Sequence, residues 1–549
     1  MIHIFPSGQK TAKAGVDCNK LQLTKLEFIV WLCFVISTFV LLCFHEQWRD
    51  EAQGFLLARD LSMPEFFRHM HKESQFMLWY FISWFFVRIC HFSFFALCAT
   101  HWLFSCLTAW LFLRFAPFRL RFRTGILFSM PYFFEYTVIM RHYQISLLLL
   151  TLLLVFWEYR YRYPLMYAVV MALSASCNLV YWGCLTGLSC VILWEVIRDR
   201  RFNLRIFSAM GIVVIGYALA ALEIYNWQGG FGSPAIVSTS KNDVFLEPIR
   251  FLYHASYFYG KTILPPNLLE ESGYAFEVIG IGLLMTILVA LYFSRRMESL
   301  IFFLVNSFFV YGVIFLGQFH STRHVSFLLV GCVAAAWIQK NCIRSHETEK
   351  IKESGFRNWI NRITIAFCYL LIAEEFMFSM IFSYFEICYP FSHGKATADF
   401  IRKNYPKGVL KVCYTARQNV SVIAFLDDPF FIFDRKEMGS FSKWGRIPQH
   451  SLYEMSDEVF KLLPKEAKAF LIIASGNEAP RGIPPNFIES YHSSDHEKTI
   501  WSPYGEDFYV YEVVRLDLVN SGKEVPIIMQ GPIHTFAFPS EFSQKLRSF

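Results

Sequence analysis

The stretch "LEFIVWLCFVISTFVLLCFHEQWRDEAQ" (Leu26–Gln53) decides the fold class, because a long apolar run ends directly on a charged segment. Runs of about 20 apolar residues span a bilayer as helices, since lipid offers no partner to an open backbone N–H or C=O group. The sequence therefore predicts a transmembrane helix that ends near Phe44. Two adjacent carboxylates, Asp50 and Glu51, follow that helix within a few residues.

The composition extends this prediction to the whole chain. Of its 549 residues, 55% are hydrophobic and 17% are charged, whereas soluble proteins carry about 25% charged residues. Further long apolar runs, such as "AFEVIGIGLLMTILVALYF" (Ala275–Phe293), account for the difference. The chain is predicted to be an α-helical polytopic membrane protein. Its net charge of +7 arises from short basic loops and does not indicate a nucleic-acid partner.

The Lys and Arg residues predict the topology, because cytoplasmic loops carry an excess of them. Lysines before the first run place the N-terminal segment 1–25 in the cytoplasm: Lys10, Lys13, Lys20 and Lys25. The basic loops placed on the same side are Arg114–Arg123, Glu158–Tyr163, Arg198–Arg205, Ser294–Arg296 and Lys340–Arg362. The apolar runs between them give about eleven spans, at residues 26–44, 95–114, 124–141, 144–157, 164–181, 183–197, 204–224, 275–293, 299–318, 325–339 and 363–386. An odd number of spans sends the C-terminal region to the opposite face.

Two loops of the predicted transmembrane domain 26–389 lie on that outer face: residues 45–92 and residues 225–274. The first loop contains the apolar piece "FMLWYFISWFFVRIC" (Phe76–Cys90), which is short and carries Arg88. Short apolar stretches are often re-entrant or interfacial. We therefore expect a juxtamembrane helix along the outer interface, with a short complete span as the alternative.

From about Pro390 onward the pattern of the chain changes. Short β-like runs, "VLKVCYT", "PFFIFD", "AFLIIAS" and "FYVYEVVRL", alternate with the helical patterns "GKATADFIRKNY" and "SDEVFKLL". Residues 390–549 are therefore predicted to form a soluble, extracytoplasmic α/β domain. The domain contains no phosphate loop, G-x-S-x-G or H-E-x-x-H motif.

Asp50 and Glu51 are the candidate catalytic residues. Adjacent like charges raise the pKa of one carboxyl, whereas Arg49 beside them acts in the opposite direction. A carboxylate in such a setting can take a proton from a hydroxyl group. The alternative is structural, since acidic side chains in the first turn of a helix cap free N–H groups.

The second acidic group of the outer loop has the pattern of an ordinary helix cap. In "DLSMPEFF", Ser62 is the predicted N-cap, Pro64 lies in the first turn and Glu65 completes a capping box. Asp60 precedes this cap. We therefore expect Asp60 and Glu65 to have structural roles.

Basic residues of distant segments are predicted to reach the same outer face, where Arg and Lys can bind phosphate oxygens. The candidate substrate-binding residues are Lys72, Glu135, Arg141, Tyr143, His320, Arg323 and His324, and Lys261 could join them. Snorkelling, or a Glu–Arg pair inside the bundle, is the alternative. The i,i+4 spacing of His320 and His324 leaves a divalent metal open, but a metal site usually needs a third ligand. Hydrogen bonding of these rings to loop backbone is the alternative.

Three stretches together resemble the GT-C superfamily of multi-span glycosyltransferases: "DEAQGFLLARDLSMPEFFRHM" with "LWYFISWFF", "PYFFEYTVIMRHYQISLLLL" and "FHSTRHVSFLLV". The chain is similar to bacterial relatives of protein mannosyltransferases and lipid A aminoarabinose transferases over roughly residues 20–340. The resemblance implies Asp50 as catalytic base, with Glu51 assisting or orienting it. It also implies that Arg141 and Tyr143 lie near the lipid phosphate.

The resemblance further implies a polyprenyl-phosphate sugar donor and inverting transfer to a hydroxyl of a glycan, lipid or protein acceptor. The expected location is the bacterial cytoplasmic membrane, and the expected product is a cell envelope glycan. Two other functions stay open at this point. The chain could be a transporter or flippase for a lipid-linked or anionic substrate, or an assembly protein in which Asp50 and Glu51 are dispensable.

Overall fold

The computed structural model describes a helix bundle followed by a sheet region. The described residues are 22–70, 73, 76–225, 275–317, 322–345, 355–426, 428–443, 452–463, 469–475, 486–493 and 506–515. The bundle comprises α1 (Lys25–Phe44), α2 (Arg49–Asp60), α3 (Met63–Met70), α4 (Met77–Trp84), α5 (Phe94–Phe115), α6 (Leu120–Leu127), α7 (Tyr143–Val155), α8 (Pro164–Ala175), α9 (Trp182–Arg198), α10 (Leu204–Tyr225), α11 (Ala275–Phe293), α12 (Met297–Gly317), α13 (Thr322–Val325), α14 (Phe327–Ser345) and α15 (Gly355–Cys388).

The apolar helices confirm the prediction of a membrane protein. Within the described residues, the helices long and apolar enough to cross a bilayer are Lys25–Phe44, Phe94–Phe115, Leu204–Ile224, Arg323–Cys342 and Trp359–Cys388. Shorter apolar helices lie among them, including Tyr143–Val155 and Pro164–Ala175. The predicted number of about eleven spans is therefore not confirmed, because several apolar helices are shorter than a bilayer requires.

The span predicted at residues 124–141 is wrong as a continuous helix. Helix α6 ends at Leu127, and a π-helical turn occupies Pro131–Glu135 before the chain bends toward α7. Pro131 has no N–H group to continue the ladder of α6. The chain is therefore not helical at Met140, and the free Met140 N–H donates a hydrogen bond to the Glu51 carboxylate at 2.6 Å.

The described residues of the predicted first outer loop, 45–92, include three short helices, α2, α3 and α4. One half of the predicted capping box is present before α3, because the Ser62 N–H donates to Glu65 Oε2 at 3.1 Å, and the Ser62 hydroxyl donates to the same oxygen at 2.5 Å. A π-helical turn, Phe85–Ile89, extends α4. Trp84 Nε1 donates to Leu61 O at 3.0 Å, which fixes α4 against the end of α2. The α4 segment is shorter than a bilayer span, and its interfacial position stays a prediction.

A mixed sheet with six strands among the described residues follows the bundle, and four of its strands lie in the predicted β-like runs. Its strands are β1 (Lys411–Cys413), β2 (Phe430–Ile432), β3 (Glu437–Gly439), β4 (Ala469–Ser475), β5 (Phe487–His492) and β6 (Phe508–Val514), in the spatial order β3-β2-β1-β4-β6-β5. Strand β1 is parallel to β2 and β4, and the other pairs are antiparallel. The region also contains α16 (Gly394–Asn404), α17 (Ala416–Leu426) and α18 (Leu452–Leu462). Strands β3 and β5 were not predicted.

The sheet region packs directly on α2. The Gln53 side chain forms two hydrogen bonds with the backbone of Ser442: Ser442 N–H donates at 2.8 Å, and Gln53 Nε2 donates to the carbonyl at 2.9 Å. The Ser440 hydroxyl donates to Asp60 at the other end of α2. Helix α2 and the sheet region therefore lie at the same end of the bundle.

Candidate functional site

Asp50 lies in the first turn of α2 and faces a group of arginines. Arg141 Nη2 contacts Asp50 Oδ2 at 2.8 Å, and Arg49 Nε lies 4.0 Å from Oδ1. The Asp50 side chain is 20% exposed, whereas the Arg141 side chain is 7% exposed. The carboxylate is thus paired and still accessible from outside the protein.

Two further arginines, Arg323 and Arg417, interact electrostatically with Asp50. Burial by itself would raise the pKa of the Asp50 carboxyl. The positive charges of Arg141, Arg323 and Arg49 outweigh this effect and hold the pKa below its ordinary value. Asp50 is therefore ionised at neutral pH, and it is one negative charge among several guanidinium groups.

Trp48 arranges three of these guanidinium groups. The Cζ atoms of Arg49, Arg141 and Arg323 lie 5.5, 5.7 and 5.6 Å from a ring centroid of Trp48. The indole is 1% exposed. Cation–π contacts of this length stabilise a guanidinium without neutralising its charge. The arginines are therefore held near Asp50 with their charges available to an anion.

Glu51 differs from its neighbour in that its side chain is fully buried. One oxygen accepts hydrogen bonds from His45 Nε2 at 2.9 Å and from Trp48 N–H at 3.1 Å, and the other accepts from Met140 N–H at 2.6 Å. These bonds connect the start of α2 with the backbone next to Arg141. The geometry favours an orienting role for Glu51.

His45 lies between two buried carboxylates. Its Nε2 contacts Glu51, and its Nδ1 lies 2.8 Å from Glu386 Oε1, which belongs to α15. Burial alone would lower the pKa of His45, but the charges of Glu51 and Glu386 raise it to about 10. The ring is therefore protonated at neutral pH and joins α1, α2 and α15 through a buried ionic group.

The protonation of His45 predicts how stability depends on pH. Because the pKa is about 6.5 in the unfolded chain and about 10 in the folded protein, the stabilisation is complete below the lower value. It is lost as the pH rises toward the higher value. We expect the free energy of unfolding to fall by about 1.4 kcal/mol per pH unit in this window. Chemical unfolding of the wild type and of His45→Gln measures how the free energy of unfolding changes with pH in each protein. Equal slopes would contradict the protonation of His45 in the folded protein.

Arg141 is positioned by the irregular backbone that replaces the predicted span. His101 Nε2 lies 3.0 Å from Arg141 O and 3.2 Å from Arg141 N, which ties this backbone to α5. The Nη2 atom of Arg141 pairs with Asp50, whereas its Nη1 atom is buried without a hydrogen-bond partner. A buried guanidinium with an unused donor is suited to an additional acceptor, such as a phosphate oxygen.

The remaining described candidates lie around Arg141. The Tyr143 ring is 5.6 Å from the Arg141 Cζ atom, and its hydroxyl lies 2.8 Å from His324 Nε2. Glu135 interacts electrostatically with Arg323 and Arg141. The structure therefore brings Glu135, Arg141, Tyr143, Arg323 and His324 together near Asp50.

The other candidates lie outside the described residues: Lys72, Lys261 and His320. The metal that the spacing of His320 and His324 left open therefore involves a residue outside the described part of the chain. Among the described residues, the group with metal-ligand atoms within 4.8 Å is Glu195, Glu298 and Cys342. Arg160 and Arg198 already contact its two carboxylates, so this group has the character of an ion-pair network.

Several residues of the site were not identified from the sequence. Glu386 was detectable, because an acidic residue in an apolar run often has a function. Trp48 had no distinguishing signal among many aromatic residues. Arg417 and Glu506 come from the sheet region, and Arg49 N–H donates to Glu506 Oε1 at 3.0 Å. Nothing in the local sequence connects positions so far apart.

Comparison of the chain with protein-family models and with curated proteins found no match.

Proposed function

We propose that the protein is an integral-membrane glycosyltransferase that moves a sugar from a polyprenyl-phosphate donor to an acceptor hydroxyl. The proposal combines the sequence resemblance to the GT-C superfamily with the geometry around Asp50. The observation that carries it is the position of one accessible carboxylate among Arg49, Arg141, Arg323 and Arg417. Such a group can bind a phosphate and provides a base beside it.

In this reaction the acceptor oxygen attacks the anomeric carbon and inverts it. The bond between that carbon and the phosphate oxygen breaks, and its electron pair stays on the leaving lipid phosphate. Asp50 accepts the proton of the acceptor hydroxyl. The arginines stabilise the negative charge that develops on the phosphate, which is the electrostatic contribution expected of preorganised cations.

Binding of the donor also changes the state of Asp50. In the structure Arg141 pairs with Asp50, and this pairing makes the carboxylate a weak base. A phosphate that takes over part of the Arg141 interaction raises the proton affinity of Asp50. The general base is thus strengthened when the donor is in place.

The proposal is tested with the purified full chain in lipid nanodiscs. Polyprenyl-phosphate pentoses and hexoses are supplied with glycan, lipid and peptide acceptors, and products are followed by mass spectrometry. We expect an acceptor that gains one sugar and an equal amount of free polyprenyl phosphate. The same donors are tested in liposomes. Movement of the lipid across the bilayer with its sugar–phosphate bond intact would overturn the proposal in favour of a flippase.

A further inference from the structure

Arg417 brings a cation from the sheet region to the Asp50 site. It is the second residue of α17 and interacts electrostatically with both Asp50 and Arg49. Its backbone N–H donates to Thr415 Oγ1 at 3.1 Å, so it lies at a capped helix start. Helix α17 packs along α2. The Arg417 side chain is exposed, which leaves it accessible to a ligand.

A buried carboxylate, Glu506, fixes α17 relative to Asp50. Ser421 Oγ donates to Glu506 Oε2 at 2.9 Å, and Arg49 N–H donates to Glu506 Oε1 at 3.0 Å. Arg417 and Ser421 are four residues apart and therefore lie on one face of α17. The face that carries Arg417 is thus attached, through one side chain, to the residue that precedes Asp50.

Positive charges from the bundle and from the sheet region meet at this junction. Arg49 and Arg417 lie close enough to repel each other, and Asp50 also interacts with Arg141 and Arg323. Like charges held together cost free energy unless an anion offsets them. Asp50, Glu135 and Glu506 offset part of this positive charge, and a phosphate bound beside Asp50 would offset it further.

We infer that Arg417 binds the phosphate of the donor lipid. The sheet region then contributes a side chain directly to the substrate site. This inference rests on the proposed function and deepens it. The chemistry recognised is a phosphate ester on a lipid carrier. The bundle supplies Arg49, Arg141 and Arg323 to this phosphate, and the sheet region supplies Arg417.

The test is binding of a short-chain polyprenyl phosphate to the full chain in nanodiscs, measured by titration calorimetry. We expect Arg417→Ala to raise the Kd about tenfold, as loss of one charge-assisted contact predicts. Arg417→Lys keeps the charge and should recover part of the affinity. Arg402→Ala removes another arginine of the sheet region, one paired with Asp399, and should bind like the wild type. Inorganic phosphate as a competitor shows whether the lipid chain is required.

The outcomes distinguish failure of the inference about Arg417 from failure of the proposed function. If Arg141→Ala loses binding and Arg417→Ala binds like the wild type, the inference about Arg417 is wrong and the proposed function stands. If neither variant changes binding, the arginines do not hold a lipid phosphate and both proposals fail. Thermal unfolding of Arg417→Ala distinguishes the loss of a ligand contact from a loss of stability. A variant with weaker binding and an unchanged unfolding midpoint has lost a ligand contact.

Discussion

Asp50→Asn should lower the rate of sugar transfer by about 10²–10⁴-fold, the range that a general base contributes. Asparagine has the shape of aspartate, but its amide cannot take the proton of the acceptor hydroxyl. Affinity for the donor should stay the same or increase, because the variant no longer holds Arg141 in an ion pair at 2.8 Å. Steady-state kinetics with the lipid-phosphate donor give kcat and KM separately, and we expect the loss in kcat.

The matched control is Asp60→Asn, a second aspartate at the other end of α2. Asp60 pairs with Arg59 at 2.7 Å and accepts from the Ser440 hydroxyl, away from the arginine group. Its variant should transfer sugar at nearly the wild-type rate. A folded Asp50→Asn variant with unchanged kcat would exclude Asp50 as the base. A rise in KM with unchanged kcat would assign it to donor binding alone.

Glu51→Gln should destabilise the protein by about 3–5 kcal/mol, the cost of removing one partner from a buried ion pair. The variant leaves the charge of His45 with Glu386 as its one remaining carboxylate partner. It also weakens the hydrogen bond that Met140 N–H donates at 2.6 Å. Chemical unfolding in detergent measures the loss, and donor binding should weaken in parallel because Arg141 follows Met140.

Glu65→Gln provides the comparison, since Glu65 caps α3 at the surface through Ser62. Changes at a helix cap typically cost about 1 kcal/mol. A Glu51→Gln variant that is as stable as Glu65→Gln would show that the buried bonds of Glu51 do not organise the site. Full stability combined with a loss of kcat would instead make Glu51 a direct participant in the reaction.

Local patterns in the sequence predicted the local elements. The apolar run before Phe44 gave a membrane-length helix, and the Ser62–Glu65 spacing gave a helix cap. Both depend on residues within one element. The strands β1, β2, β4 and β6 were also found where short runs of apolar residues lie. Strand β3 (Glu437–Gly439) lacks the run of apolar residues that marks the equally short strands β1 and β2.

The break near Pro131 was not predicted, because the apolar composition of residues 124–141 concealed the change of backbone geometry. The sequence also does not show that Asp50 and Glu51, although adjacent, differ in solvent exposure. Successive residues of a helix point about 100° apart. One of the pair therefore faces the arginines while the other is buried against Met140. Which of them is buried depends on tertiary packing.

The hydrogen bond between Arg49 and Glu506 joins residues 457 positions apart, and this separation affects the order of events during synthesis. Chains fold from the N-terminal end as they are made. The helix that carries Asp50 is therefore synthesised early, but it stays without Glu506 and Arg417 until almost the whole described chain has emerged. A nascent or prematurely terminated chain lacks these contacts. The contacts that place Arg417 and Glu506 beside the helix of Asp50 therefore form only after most of the chain has been made.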